Sequence, residues 1–311
     1  MSAVNDTKLK SVIFLLTGLP SHGDAPLWIS IPFCFMNVIS IVGNSIILFI
    51  VKTEPSLHQP IYIFLSMWAV ADLGISISTM PTILDIYLFN SREISLNACL
   101  AQLFFIHLLQ CIESSLLLLM AFDHFIAIYN PLRYAAIFIL PRIAKMGLLA
   151  VLRVMVIILP LPFLLKWFQY CQANVLFYSY CLHREVMNMA CSDITVNIIY
   201  GLFTKLLTMG LDLLLIFLSY VMIFKSVLRI TSYEECLKAL NTCISHLCAV
   251  LLFCTPDISL TVIHSFEKDS SPLLQILLGY MSLLLPSLIN PIVYSVKSKH
   301  LRVKIIRVFI K

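Results

Sequence analysis

The stretch Met120–Tyr134 reads MAFDHFIAIYNPLRY and decides how the rest of the chain is interpreted. A long apolar run precedes it, and a basic, proline-broken loop follows it. Pro131 predicts the end of a helix, because proline lacks the amide proton that would continue the helical hydrogen bonds. Asp123 and His124 are therefore expected to emerge where an apolar helix meets water.

The composition excludes an ordinary soluble domain. Hydrophobic residues make up 60% of the chain and charged residues 12%, whereas soluble domains carry about 25% charged residues. Apolar runs of about 20 residues cross a bilayer, and seven such runs lie at 27–51, 61–85, 100–128, 144–166, 196–224, 239–263 and 272–295. We predict an all-α membrane protein, a seven-transmembrane helix bundle over 27–296. A tail over 1–26 and a short amphipathic C-terminal helix within 297–311 flank it.

The basic residues predict how the chain is oriented in the membrane. Thirteen lysines and arginines fall in one alternating set of loops and the C-terminus, and six fall in the other set. This asymmetry predicts a multi-pass plasma-membrane protein with an extracellular N-terminus, surrounded by lipid. The net charge of +5 is then a topology signal and indicates no nucleic-acid partner.

The N-terminal tail is expected to be irregular and to carry no cleavable signal peptide. Val12–Leu16 is too short for the apolar segment of a signal peptide. Asn5 begins an Asn-Asp-Thr triplet, which is a glycosylation acceptor on the outer side of a membrane.

Four cysteines fall on the predicted outer side. Cys99 lies at the outer start of the third helix, and Cys171, Cys181 and Cys191 lie in the long loop that follows the fourth. An oxidising compartment favours two disulfides, but four cysteines allow three pairings that the sequence leaves open. The other six cysteines are interpreted as packing residues, and no metal site is indicated.

The chain resembles the olfactory receptors of the rhodopsin-like G-protein-coupled family. Met120–Tyr134 is similar to the end of that family's third helix, and further matches lie at Leu57–Tyr62, Lys238–Leu247 and Asn290–Tyr294. The long loop and the end of the fourth helix look most like the fish-like class I group, family 51. One departure matters most, because His124 stands where the family carries arginine.

The resemblance implies an odorant receptor without catalytic residues. Such a receptor binds a small volatile or carboxylate-like ligand in the outer half of the bundle and activates a stimulatory G protein of olfactory type, which raises cyclic AMP. Asp123, His124, Tyr220 and Lys238 are the residues implied in coupling. Histidine is shorter than arginine and largely neutral near pH 7, so the alternative is a folded receptor that does not signal. A transporter or an intramembrane enzyme is disfavoured, since neither internal repeats nor a converging set of catalytic groups is visible.

Four polar residues within the spans are candidates for the ligand pocket. His107 and Gln110 lie three residues apart and so share one face of the third helix, and in the resembling receptors the place of His107 lines the pocket. Lys205 and Asp257 lie in the outer halves of the fifth and sixth helices, where apolar residues are expected. Opposite charges that face one cavity would offset each other's desolvation.

One further position bears on the class of ligand. Class I receptors that hold fatty acids carry an arginine where this chain has Ser265, and an arginine binds a carboxylate through two hydrogen bonds. Arg184 or Lys205 would have to supply that positive charge here. Our hypothesis is a pocket that is not tuned to simple carboxylates.

A second polar set resembles the sodium-linked network at the centre of this receptor fold. It comprises Asn44, Asp72, Glu113 and Asn290. Two adjacent acids cannot both ionise without a cation, so either a proton is held there or an ion such as Na⁺ is bound. For the disulfides, the resemblance favours Cys99–Cys181 with Cys171–Cys191, and Cys99–Cys191 is the fallback.

Overall fold

The structure is a computed structural model, and it describes residues 12–18, 26–170, 175–228, 233–266, 272–297 and 301–305. The α-helices within these residues are α1 Pro26–Thr53, α2 Pro60–Tyr87, α3 Leu96–Tyr129, α4 Pro131–Ile137, α5 Leu140–Ile158, α6 Pro160–Lys166, α7 His183–Asn188, α8 Thr195–Lys205, α9 Leu211–Val227, α10 Tyr233–Phe266 and α11 Pro272–Lys297. The strands are β1 Ile13–Leu16, β2 Glu93–Ser95 and β3 Val175–Leu176.

Seven helical spans in the described residues are long and apolar enough to cross a membrane. They are α1, α2, α3, α5 with α6, α8 with α9, α10 and α11. This confirms the predicted seven-helix bundle. The third span has 34 residues, or about 51 Å at 1.5 Å per residue, which exceeds the roughly 30 Å hydrocarbon core. It must therefore tilt or protrude.

Capping side chains and prolines set the ends of the helices. Ser95 caps α3, where its Oγ accepts a hydrogen bond from the backbone N–H of Ala98 at 3.4 Å. Asn130 ends α3 in a non-helical conformation, and Pro131 then opens α4 as its first residue. Pro60 opens α2 in the same way, because the missing proline N–H is needed by no helical partner at that position.

Two of the predicted spans are interrupted. The fourth begins at Leu140 and breaks before Pro160, since a proline inside a helix removes one backbone hydrogen bond. The fifth contains a π-helical segment at Leu206–Gly210. One extra residue in a turn rotates the following side chains by about 100°, so α8 and α9 present differently placed faces to the bundle. Hydropathy alone predicted neither interruption.

A three-stranded sheet covers the end of the bundle where α3 begins. β1 is its central strand, antiparallel to β2 and parallel to β3. Phe14 and Leu16 are buried while Ile13 and Leu15 are exposed. The expectation of an irregular tail is therefore wrong over these residues. All four side chains are apolar, so the alternation that indicates a strand is hidden in the sequence.

The favoured disulfide forms between Cys99 and Cys181. This confirms the first pairing and shows that the Cys99–Cys191 fallback is wrong. Cys191 is itself disulfide-bonded, but Cys171 and Asn5 lie outside the described residues, so the second pairing and the glycosylation site stay predictions. The other six cysteines form no disulfide within the part of the chain that the structure describes.

The described part of the C-terminal tail is helical and packs against the first span. Leu301 is buried in a cluster with Ile47 and Ile50, and Lys304 forms an ion pair with Glu54. The division into a tail over 1–26, a bundle over 27–296 and a tail over 297–311 stays a prediction.

Candidate functional site

A cavity of about 550 Å³ lies within the bundle at the end covered by the sheet. Side chains of α3, α7, α8, the π-helical segment and α10 line it. Much of the wall is apolar, with isoleucine, leucine, methionine and phenylalanine side chains, and a few polar groups converge on it. Its size and lining are those of small-molecule sites.

His107 and Gln110 both line this cavity, as the helical spacing predicts. The Nδ1 of His107 lies 2.9 Å from the carbonyl oxygen of Leu103. Because a carbonyl can only accept, Nδ1 is the donor in this contact.

A second imidazole, which the sequence did not single out as a ligand contact, stands beside His107. The ring of His183 lies 6.3 Å from the ring of His107, and it also lines the cavity. Burial, aided by the neighbouring His107, lowers the pKa of His183 to about 3. Its Nε2 is buried without a hydrogen-bond partner in the described part of the chain, as is Asn197 Oδ1 on the same wall.

Lys205 and Asp257 meet at the cavity wall and join α8 to α10. Lys205 Nζ lies 3.1 Å from Asp257 Oδ2 and donates to Thr261 Oγ1 at 2.6 Å. The Thr261 hydroxyl in turn donates to the carbonyl oxygen of Asp257 at 2.8 Å. The side chains of the pair remain 40% and 22% exposed. The structure thus brings together the two opposite charges that the sequence placed on facing helices.

Of the two remaining predicted ligand residues, the structure describes the side chain of Arg184 but not that of Ser265. Arg184 lines the cavity from α7 and interacts electrostatically with Glu185. Burial raises the pKa of the Glu185 carboxyl, although that carboxyl accepts the backbone N–H of Phe177 at 3.2 Å. The side chain of Ser265 lies outside the described residues, so its role stays a prediction.

Asp72, Glu113 and Asn290 come together at the centre of the bundle, whereas Asn44 makes no hydrogen bond to either acid among the described contacts. Asp72 and Glu113 are fully buried and interact electrostatically with each other. Asn290 Nδ2 donates to Asp72 Oδ2 at 3.5 Å. Asn44 instead donates to the backbone oxygens of Ser40 and Ser287, at 3.0 and 3.1 Å. It supports the backbone next to the acids.

At the other end of α3, the Asp123–His124 pair is buried, so the expectation that it emerges into water is wrong. The two residues are 3% and 6% exposed. Tyr134 of α4 folds back over them, and its hydroxyl donates to Asp123 Oδ1 at 2.8 Å. Burial, and then the nearby Asp123, raises the pKa of Tyr134. His124 Nδ1 lies 3.7 Å from Asp123 Oδ2, which is too long for a hydrogen bond.

His124 packs against α10 through a second histidine. Its ring lies 5.3 Å from that of His246, edge to face. His246 Nε2 lies 3.1 Å from the carbonyl oxygen of Leu117, and its Nδ1 lies 2.8 Å from the hydroxyl of Tyr220. These contacts connect α3, α9 and α10 at the predicted coupling site. The side chain of Lys238 lies outside the described residues.

An ion pair that was not predicted from the sequence joins the fourth and fifth spans. Arg153 of α5 donates to Asp212 Oδ1 of α9 at 2.7 Å, and Ser115 donates to Asp212 Oδ2 at 3.2 Å. The sequence did contain a sign of this pair, because Arg153 and Asp212 are charged residues inside apolar runs. A charge within a membrane is costly, so it is normally paired with another.

Comparison with known proteins decides the family. The olfactory receptor family model matches residues 33–311. Human olfactory receptor 51A7 is 53% identical over 306 residues, which are 98% of this chain and 97% of that one. The chain belongs to the olfactory receptor family.

Other relatives agree with this assignment. Human olfactory receptor 51G2 is 53% identical over 305 residues, again 98% of this chain and 97% of that one. The match to family 51 confirms the resemblance drawn from the motifs. A solved structure of squid rhodopsin superimposes with a TM-score of 0.75 at 18% identity, covering 94% of this chain and 82% of that one. This olfactory receptor therefore has the fold of a seven-helix G-protein-coupled receptor. It is a multi-pass plasma-membrane protein and not an enzyme.

Proposed function

We propose that this olfactory receptor binds a small odorant in the cavity between α3, α8 and α10 and then activates a stimulatory G protein that raises cyclic AMP. The single observation that supports the binding site is the cavity of about 550 Å³ with converging polar groups. Lys205 and Asp257 link two of its helices. A ligand that binds one arrangement of those helices more tightly than another shifts the population toward that arrangement.

The proposed orientation places the N-terminus and the cavity outside the cell. The Cys99–Cys181 disulfide lies at the same end of the bundle as the cavity, and disulfides persist in oxidising compartments. The lysine and arginine asymmetry of the loops supports the same orientation.

A specific observation favours a second candidate, a folded receptor that binds odorant without signalling. The His124 residue is 6% exposed, and its ring packs against the ring of His246. An arginine at this place would carry a permanent charge on a longer side chain with five donors. Histidine has neither that reach nor that charge near neutral pH.

We also propose that Na⁺ binds at Asp72 and Glu113. Asp72 Oδ1 and Glu113 Oε1 are buried oxygens without hydrogen-bond partners in the described part of the chain, and carboxylate oxygens are ligands for hard cations. A cation would allow both acids to ionise. The test is the thermal midpoint of the purified receptor in NaCl against choline chloride. Na⁺ is expected to raise it in wild type and not in Asp72→Asn. Equal midpoints in both salts for wild type would contradict the proposal.

The signalling proposal is tested by cyclic AMP output against an odorant panel, with wild type and His124→Arg compared at matched surface expression. A response in wild type supports the signalling receptor, with His124 tolerated at the coupling site. A response confined to His124→Arg supports the second candidate, with a working pocket and a disabled output. Silence of both proteins at good surface expression, together with no odorant binding, contradicts both candidates.

A further inference from the structure

We propose that the cavity selects an uncharged odorant that carries a hydrogen-bond donor beside an acceptor, such as a hydroxyl next to a carbonyl. Its polar end would dock on the Lys205–Asp257 pair, and its apolar remainder would fill the rest of the cavity. This inference rests on the proposed function, namely that the cavity is the odorant site. It adds the chemical class of the ligand.

The Lys205–Asp257 pair can form more hydrogen bonds than it makes within the protein. A lysine ammonium has three N–H donors. One of those of Lys205 points to Asp257 Oδ2 and a second to Thr261 Oγ1. The third has no partner among the described contacts, and neither does Asp257 Oδ1. The pair therefore presents one free donor beside one free acceptor, which a neutral ligand with one acceptor and one donor complements.

The charges at the pair argue against ionised ligands. A carboxylate that approached Lys205 would also lie close to Asp257, and two carboxylates in one site repel each other. An amine that approached Asp257 would meet the same difficulty with Lys205. Displacing either partner would leave a charge unpaired in a membrane-embedded wall, which is costly. A neutral ligand meets neither cost.

Within the described part of the chain, the rest of the wall provides no isolated charge that would reverse this preference. His183 is neutral near pH 7 because burial lowers its pKa to about 3. Arg184 has Glu185 beside it. Asn197 Oδ1 is a buried acceptor without a partner in the described residues, and it lines the cavity. This amide oxygen carries no charge, so it does not change the preference for a neutral ligand.

The test uses probes of equal carbon number, namely octanoic acid, octylamine and an eight-carbon acyloin, whose hydroxyl stands beside a ketone. Binding is measured as ligand-dependent thermal stabilisation of the purified full-length receptor, which does not require signalling. Cyclic AMP output in the His124→Arg background is the second readout. The variants are Asp257→Asn, Lys205→Gln and the reversed pair Lys205→Asp with Asp257→Lys, all compared at equal surface expression.

The acyloin is expected to bind wild type at least about tenfold more tightly than the acid or the amine. Asp257→Asn leaves Lys205 without its anion and should improve octanoic acid binding by about tenfold, while Lys205→Gln should do the same for octylamine. The reversed pair keeps both charges and should keep the preference for the acyloin. It also serves as the control if a single variant fails to reach the surface.

Two other results would overturn the inference in distinguishable ways. Tightest binding of octanoic acid to wild type or to the reversed pair would show that the ligand class is wrong, while the odorant site itself would stand. Failure of every probe and every odorant of a broad panel to bind any variant that reaches the surface would overturn the proposed function together with the inference.

Discussion

His183 illustrates what burial does to one residue. Its ring lies beside His107 at the cavity wall, and its pKa falls to about 3 from an ordinary value near 6.5. Between these two values the unfolded chain binds a proton that the folded chain does not. Stability therefore rises with pH over this window and is lost as the pH falls below about 6.5.

We expect the thermal midpoint of the purified receptor to fall between pH 7 and pH 5, with His183 responsible for about 1–2 kcal/mol of the loss. His183→Gln cannot be protonated in this range and should show a smaller fall than wild type. His58→Gln is the matched control, since His58 is exposed. Equal pH dependence of wild type and His183→Gln would show that burial of this ring is not linked to stability.

At the scale of the elements, α5 and α9 are held together by the Arg153–Asp212 pair. Asp212 is fully buried, while the Arg153 side chain is 32% exposed. The pair lies directly after the π-helical segment Leu206–Gly210, where the fifth span changes the face that it presents to α3. We infer that the pair orients α9 after this change.

Asp212→Asn should lower the stability of the receptor by roughly 1–3 kcal/mol, because it leaves the Arg153 charge without its anion. The measurement is the thermal midpoint in detergent together with surface staining. The double change Arg153→Leu with Asp212→Leu removes both charges and is expected to cost less than the single change. A double variant that is less stable than Asp212→Asn would contradict this explanation.

At the scale of the whole molecule, the small sheet ties three distant parts of the chain together. β1 comes from the N-terminal tail, β2 precedes α3, and β3 belongs to the long loop. Phe14 and Leu16 of β1 pack in one cluster with the Cys99–Cys181 disulfide and Met187. Because Met187 also lines the cavity, the N-terminal tail supports the ligand site from outside.

Phe14→Ala should reduce stability by about 3 kcal/mol, since it opens a hole in a buried cluster. Odorant sensitivity should decrease with it, because the wall at Met187 loses support. Ile13→Ala is the control, since Ile13 is 42% exposed and Phe14 is 0% exposed. Surface expression and odorant dose–response curves are the measurements. Similar loss in both variants would mean that the alternation of β1 does not matter.

Seven spans, the end of α3, the Lys205–Asp257 charges and the family motifs all followed from the sequence by itself. Because polar groups are costly in lipid, long apolar runs in the sequence predict the membrane-crossing helices directly. The sequence also exposed the departure at His124, since a local motif can be compared residue by residue.

The tertiary structure alone decided which distant groups meet. It joined Cys99 to Cys181, placed the apolar alternation of β1 against the long loop, and buried Asp123 and His124 under α4 and α10. These outcomes depend on contacts between residues that lie from about ten to more than one hundred positions apart in the chain. Local periodicity contains no information about such contacts, because burial and charge pairing arise only once the helices pack.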